Sequence, residues 1–196
     1  MFGACTSLSV APVLSAIILD TKCYEWMFRT CTSLTQAPEL PATTLADLCY
    51  ASMFSGCTSL SVAPELPAIS LANYCYANMF GNCTSLTQAP VLSATILVDN
   101  CYGNMFFNCT SLNTMNINFS DWRDDLGATT NWMLNAGTSA QGTKTFTCPI
   151  ALPIETDGNG VTLGDSHIPD GWTVVRIEQF IPLTFTAEDP NATISL

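Results

Sequence analysis

The stretch "MFSGCTSLSVAPELPAISLANYCYAN", residues 53 to 78, is preceded and followed by near copies of itself. Aligned on the Met-Phe pair, the copies begin at Met1, Met27, Met53, Met79 and Met105. The period is 26 residues, without insertions, through four complete units and a partial fifth. Met53, Phe54, Cys57, Thr58, Ser59, Leu60, Ala63, Pro64, Leu66, Leu71, Cys75 and Tyr76 all have identical counterparts 26 residues earlier and later. One unit of this length cannot enclose its own apolar side chains, whereas identical units laid on one another bury a continuous column of them. The period therefore predicts a stacked array over residues 1–112.

Within a unit, "LSVAPEL" reads as a short strand running into a proline corner. Pro64 has no N–H to donate to a neighbouring strand, so the regular ladder is expected to cover only two or three residues per coil. In "ISLANYCYANMFGNC", Leu71, Cys75, Met79 and Cys83 recur every four residues, which predicts a short helix. Ser70 and Thr44 are its candidate N-caps in successive coils, the latter with Asp47 three residues on. Strand, corner, helix and turn in 26 residues predict an α/β fold: a leucine-rich-repeat solenoid of short parallel strands and short helices, units of that kind spanning ~20 to ~29 residues. A parallel β-helix is the competing architecture.

Nine of the ten cysteines fall into two columns, Cys5, Cys31, Cys57, Cys83 and Cys109, then Cys23, Cys49, Cys75 and Cys101, with Cys148 outside both. If the second column rides on helices, its members lie ~8 to 10 Å apart, beyond the ~7 Å Cα limit for a disulfide. Along one helix, Cys75 and Cys83 are ~12 Å apart. The first column is closer, since strands stack at ~4.8 Å, but pairing identical positions two by two strands the odd one. The cysteines are therefore read as buried small apolar residues. Zinc is disfavoured because no C-x-x-C pair exists and His167 is the only histidine.

At "CYxxMFxxCTSLxxAP" residues 1–112 resemble the BspA-type leucine-rich-repeat surface proteins of gut and oral bacteria. Met53, Phe54, Cys57, Thr58, Ser59 and Leu60 carry the match, and the motif departs from the usual pattern at Ala63, Pro64 and Cys75. The resemblance implies export to a bacterial cell surface or secretion, adhesion to host proteins, glycans or other cells, and no catalysis. Similar arrays occur in phages of gut bacteria, which makes a phage-borne adhesin a further expectation. "IPDGWTVV" at 168–175 looks like the segment that closes such arrays, and "PLTFTAED" like the start of an appended β module.

After Leu112 the period ends, and residues 113–180 are expected to form a small α+β cap, followed at 181–196 by the start of a β module that breaks off. Ser120 and Thr130 are candidate N-caps and Gly137 a C-terminal stop for one or two short helices that turn Trp122, Leu126, Trp132 and Met133 inward. "GTKTFTCPIALPI" and "GWTVVRIEQFIPLTFTA" read as strands. With Met1 in repeat register, and no basic region followed by an apolar run at the N-terminus, the chain reads as a monomeric fragment of a longer protein whose signal and anchor lie elsewhere.

Net charge is −11, from 16 acids against 5 bases. Phosphate binding needs clustered Lys and Arg, so nucleic acid is excluded as a partner, and anionic membrane surfaces are disfavoured. No stretch approaches the ~20 apolar residues of a membrane span.

Candidate chemistry is sparse. His167 stands beside Asp165 and Ser166, but neighbours in a loop do not make a triad and no G-x-S-x-G elbow is present. Asp157, Asn159 and Asp165 could offer oxygens to calcium without completing a ligand series, so an ordinary glycine-rich turn is the better reading. Asp124 and Asp125 read as solvated helix-start charges. Asn82, Asn108, Asn118 and Asn191 fit glycosylation sequons. Glu39 and Glu65, ~5 Å apart on adjacent strands, have the spacing of a retaining glycosidase pair but nothing else of one. No catalytic residue, metal or cofactor is expected.

Binding is expected instead on the outward stripe, where each coil presents equivalent residues in register: Ser9, Val10 and Val13; Thr35, Gln36 and Glu39; Ser61, Val62 and Glu65; Thr87, Gln88 and Val91. Of these, Thr35, Gln36, Glu39, Ser61, Val62, Glu65, Thr87 and Gln88 are the candidate contact residues. A passive spacer is the alternative use of so regular an array.

Overall fold

The computed structural model describes residues 2–154 and 167–178. Successive units stack in parallel, an arrangement compatible with a repeat solenoid. Single parallel bridges join Val10 to Gln36, Gln36 to Val62, Val62 to Gln88 and Gln88 to Thr114. At Thr114 that column passes into a three-stranded parallel sheet, β1 (Thr114–Asn116), β2 (Thr145–Pro149) and β3 (Thr173–Ile177), in the order β1-β2-β3. Thr114 pairs with Thr145, and Thr145 with Thr173, so the two strands expected in "GTKTFTCPIALPI" and "GWTVVRIEQFIPLTFTA" extend the ladder that the coils begin. Within the coils the ladder is one residue wide, narrower than expected. Pro12, Pro38 and Pro64 sit two residues after the bridge and offer no N–H to widen it.

The short helices expected on the opposite side are absent. Among the described residues the only helical element is a single 3-10 turn at Asp124–Leu126. The segment 72–83 is instead a staircase of overlapping four-residue turns. The N–H groups of Cys75, Ala77, Met79, Gly81 and Cys83 bond the carbonyls three residues back at 3.0–3.2 Å. The alternate N–H groups leave the coil altogether: Tyr74, Tyr76, Asn78, Phe80 and Asn82 donate to Asp99, Cys101, Gly103, Met105 and Phe107 of the next coil at 2.7–3.1 Å. An α-helix would keep all of these bonds to itself. Here half of them bind coil to coil.

This staircase needs a left-handed residue at every fourth position, the third of every second turn. Tyr74, Asn78 and Asn82 have φ of 56°, 53° and 62°, and their counterparts Leu48, Ser52 and Gly56, or Asn100, Asn104 and Asn108, do the same. Asparagine tolerates this region better than other non-glycine residues. Thr44 is correspondingly a bridge partner of Ile18 and not a helix cap, and Asp47 accepts from the Asn73 N–H of the next coil.

The turn ladder runs on past the sequence period. Tyr102, Asn104, Phe106 and Asn108 donate to Ala128, Thr130, Trp132 and Leu134. The acceptor now lies 26 residues ahead instead of 25, which accommodates one extra residue. Thr130 therefore belongs to a stacked turn and caps no helix. Trp122, Trp132 and Met133 are buried, as expected of them, and Leu126 is half-buried.

Between ladder and staircase lies the core. Phe2, Phe28, Phe54, Phe80 and Phe106 stack with centroids 5.6–5.7 Å apart. Tyr24, Tyr50, Tyr76 and Tyr102 form a parallel pile at 5.8–6.0 Å, which ends on Phe119. Burial of each such side chain contributes about 1.5–3 kcal/mol.

All ten cysteines are free thiols, and eight are buried. The second column does not stand at helix separation: the Tyr50 N–H bonds the Cys75 carbonyl at 3.0 Å, which sets ladder spacing, ~4.8 Å. The first column has a definite partner instead. The Sγ atoms of Cys31, Cys57, Cys83 and Cys109 donate to the carbonyls of Phe2, Phe28, Phe54 and Phe80 at 3.1–3.2 Å. No helix among the described residues is long and apolar enough to cross a membrane.

Candidate functional site: the outward stripe

The bridge column fixes the stripe. Because Val10, Gln36, Val62, Gln88 and Thr114 pair in register, the residues on either side of them line up as rows across the stack. Thr35, Gln36, Glu39, Ser61, Val62, Glu65, Thr87 and Gln88 are all exposed, on one continuous face. Val10 is 76% exposed, Val62 62%, Val13 91% and Val91 51%. Such exposure of β-branched apolar side chains marks a surface with contact area to offer.

Two shallow grooves run along this face. One, of about 500 Å³, is lined by Gln36, Pro38, Glu39, Val62, Pro64 and Glu65 among others. The second, of about 420 Å³, is lined by residues of the first two coils, including Val10, Pro12, Val13, Gln36 and Glu39. The structure thus brings eight of the nine stripe candidates of the first three coils, all but Ser61, against the grooves directly. It adds a wall that the sequence reading did not name: Pro38, Pro41, Pro64 and Pro67, whose fixed φ holds the corner rigid. It also leaves Ile17, Ile18, Ile69 and Ile96 exposed beyond the corner.

The charge of the face is one-sided. Residues 30–122 contain no Lys or Arg. Glu39 and Glu65 sit side by side on adjacent coils with no ion-pair partner among the described residues. Among the described residues lining the two grooves, Glu39 and Glu65 are the only ionisable side chains.

The remaining candidates are engaged elsewhere. His167 lies with Nε2 3.2 Å from Asp124 Oδ1, edge-on to the Trp122 ring at 4.7 Å, and its carbonyl accepts from Trp132 Nε1 at 2.6 Å. These contacts fasten the returning chain onto the turn stack. Asp125 pairs with Arg123 through Nε and Nη2 at 3.0 and 3.1 Å, and that hydrogen bond holds its carboxyl below the usual carboxylate range. Asp124 and Asp125 therefore serve different partners. Asn82 and Asn108 belong to an amide ladder in which Asn108 donates to Asn82 and Asn135 to Asn108, at 3.0 and 2.8 Å. Asn118 donates its backbone N–H to the Leu92 carbonyl. Asp157, Asn159, Asp165, Ser166 and Asn191 lie outside the described residues. Among those described, no group of three or more His, Cys, Asp or Glu is placed to hold a metal ion.

No family model, curated protein or solved structure matches this chain.

Proposed function

We propose that this chain is a noncatalytic binding module of a bacterial cell-surface or secreted protein, built as a leucine-rich-repeat-like solenoid of the BspA-type kind. Its partner is a host or microbial surface protein or glycan, held on the exposed strand face. One observation carries this reading: rows of exposed Val, Gln and Glu in register along two grooves, the Glu side chains with no ion-pair partner among the described residues.

The test is a binding screen of the purified chain against mucins, extracellular-matrix proteins and glycan arrays. A ligand whose binding is lost on replacing Gln36, Glu39 and Glu65 together, with the fold intact, supports the proposal. The passive spacer is the second reading, favoured by the near identity of the coils. It prevails if a folded protein binds nothing across the screen.

A further inference from the structure

The row at the centre of the face reads Val13, Glu39, Glu65, Val91 across four successive coils, apolar at both ends and acidic between. The row behind it reads Ser15, Pro41, Pro67, Ser93, with the same symmetry about the boundary between the second and third coils. The larger groove is centred there, with both glutamates in its wall.

We infer that the stripe takes an extended basic polypeptide segment lying along the stack, with the pattern apolar-x-Arg-x-apolar. This deepens the proposed function and rests on it. Coils stack at ~4.8 Å, so Val13 and Val91, three coils apart, are separated by ~14 Å. An extended chain advances ~3.3 Å per residue, and side chains at positions one, three and five face the same way over ~13 Å. The first and fifth then cover Val13 and Val91, and the third falls between Glu39 and Glu65. A guanidinium there presents its fork to two carboxylates ~4.8 Å apart, a match that a single ammonium makes less well.

Charge selects this occupant over the others. Two copies of this chain meeting face to face about a twofold axis at the row's centre set Glu39 against Glu65, like against like. A neutral glycan leaves both carboxylates without a counter-charge. No Lys or Arg of residues 30–122 is at hand to supply one from within.

The experiment is a fluorescence-anisotropy titration of the whole chain with the labelled peptide Gly-Leu-Ser-Arg-Ser-Leu-Gly. Controls carry Glu for Arg, or lack the two serines. Saturable binding below ~1 mM is expected for the Arg peptide alone, weakened at least ~10-fold by the pair Glu39→Gln and Glu65→Gln. The reversed pair, Glu39→Lys with Glu65→Lys, should transfer preference to the Glu-centred peptide; circular dichroism of each variant confirms the fold. Equal binding of Arg- and Glu-centred peptides, undiminished binding without the serines, or no saturable binding overturns the inference. If a ligand from the screen still depends on Gln36, Glu39 and Glu65, the binding module stands and only the basic segment falls. If none does, both fall.

Discussion

The buried thiols and phenols are the residues whose environment departs furthest from water. Burial lifts Cys57 and Cys109 to about 12, and Cys49 and Cys101 to about 11, from an ordinary 9.0. A thiol raised in the folded state holds its proton where the unfolded chain has lost it, so its contribution to stability is complete below the unfolded value and declines as pH rises toward the folded one. The urea midpoint is therefore expected to fall steadily from about pH 9 to about pH 12, and a flat profile would contradict the buried columns. Tyr50 and Tyr76 are fully buried and their hydroxyls have no hydrogen-bond partner among the described residues. Tyr76→Phe removes an unsatisfied group and keeps the ring stack, so it should leave stability unchanged or raise it by about 1 kcal/mol, read from the denaturant midpoint. Lys22 is exposed and left-handed at φ 60°. Lys22→Gly should stabilise by about 1 kcal/mol, because glycine enters that region without steric cost.

At the scale of the element, the turn staircase is the main departure from the sequence reading. A spacing of four apolar residues, Leu71, Cys75, Met79 and Cys83, fits one face of a helix and fits one step of the staircase equally well. What separates them is the left-handed residue at every fourth position. Asparagine holds that place at 78, 82, 100, 104, 108, 131 and 135, a signal visible in the sequence. In the earlier coils Leu48 and Tyr74 hold it, and those residues give no hint. Far-ultraviolet circular dichroism should accordingly lack the double minimum of α-helix, and a strongly helical spectrum would refute the staircase. The strand side was more legible. The bridge column follows from the period, and only its width was overestimated.

Across the whole molecule, stability is shared between neighbouring coils, each holding the next by ladder, staircase and aromatic stack. Removing residues 53–78, one complete period, should leave a shorter protein with the same circular dichroism shape and a single, earlier unfolding transition. Removing half a period puts apolar columns opposite solvent-facing ones and should abolish the fold; tolerance of it would refute the stack. The stripe Thr35, Gln36, Glu39, Ser61, Val62, Glu65, Thr87 and Gln88 was legible because period and strand pattern together place equivalent side chains on one face. Its grooves and proline wall were not, since they arise between coils. The sequence by itself determined the period, the columns of Phe, Tyr, Cys and Leu, and the one-sided charge of the outward face, because each is a property of which residues recur. Only the tertiary structure decided where alternate N–H groups go. A backbone donor can close a bond within its own coil or reach the next, and the carbonyls that settle the choice are brought within range only when the coils are stacked.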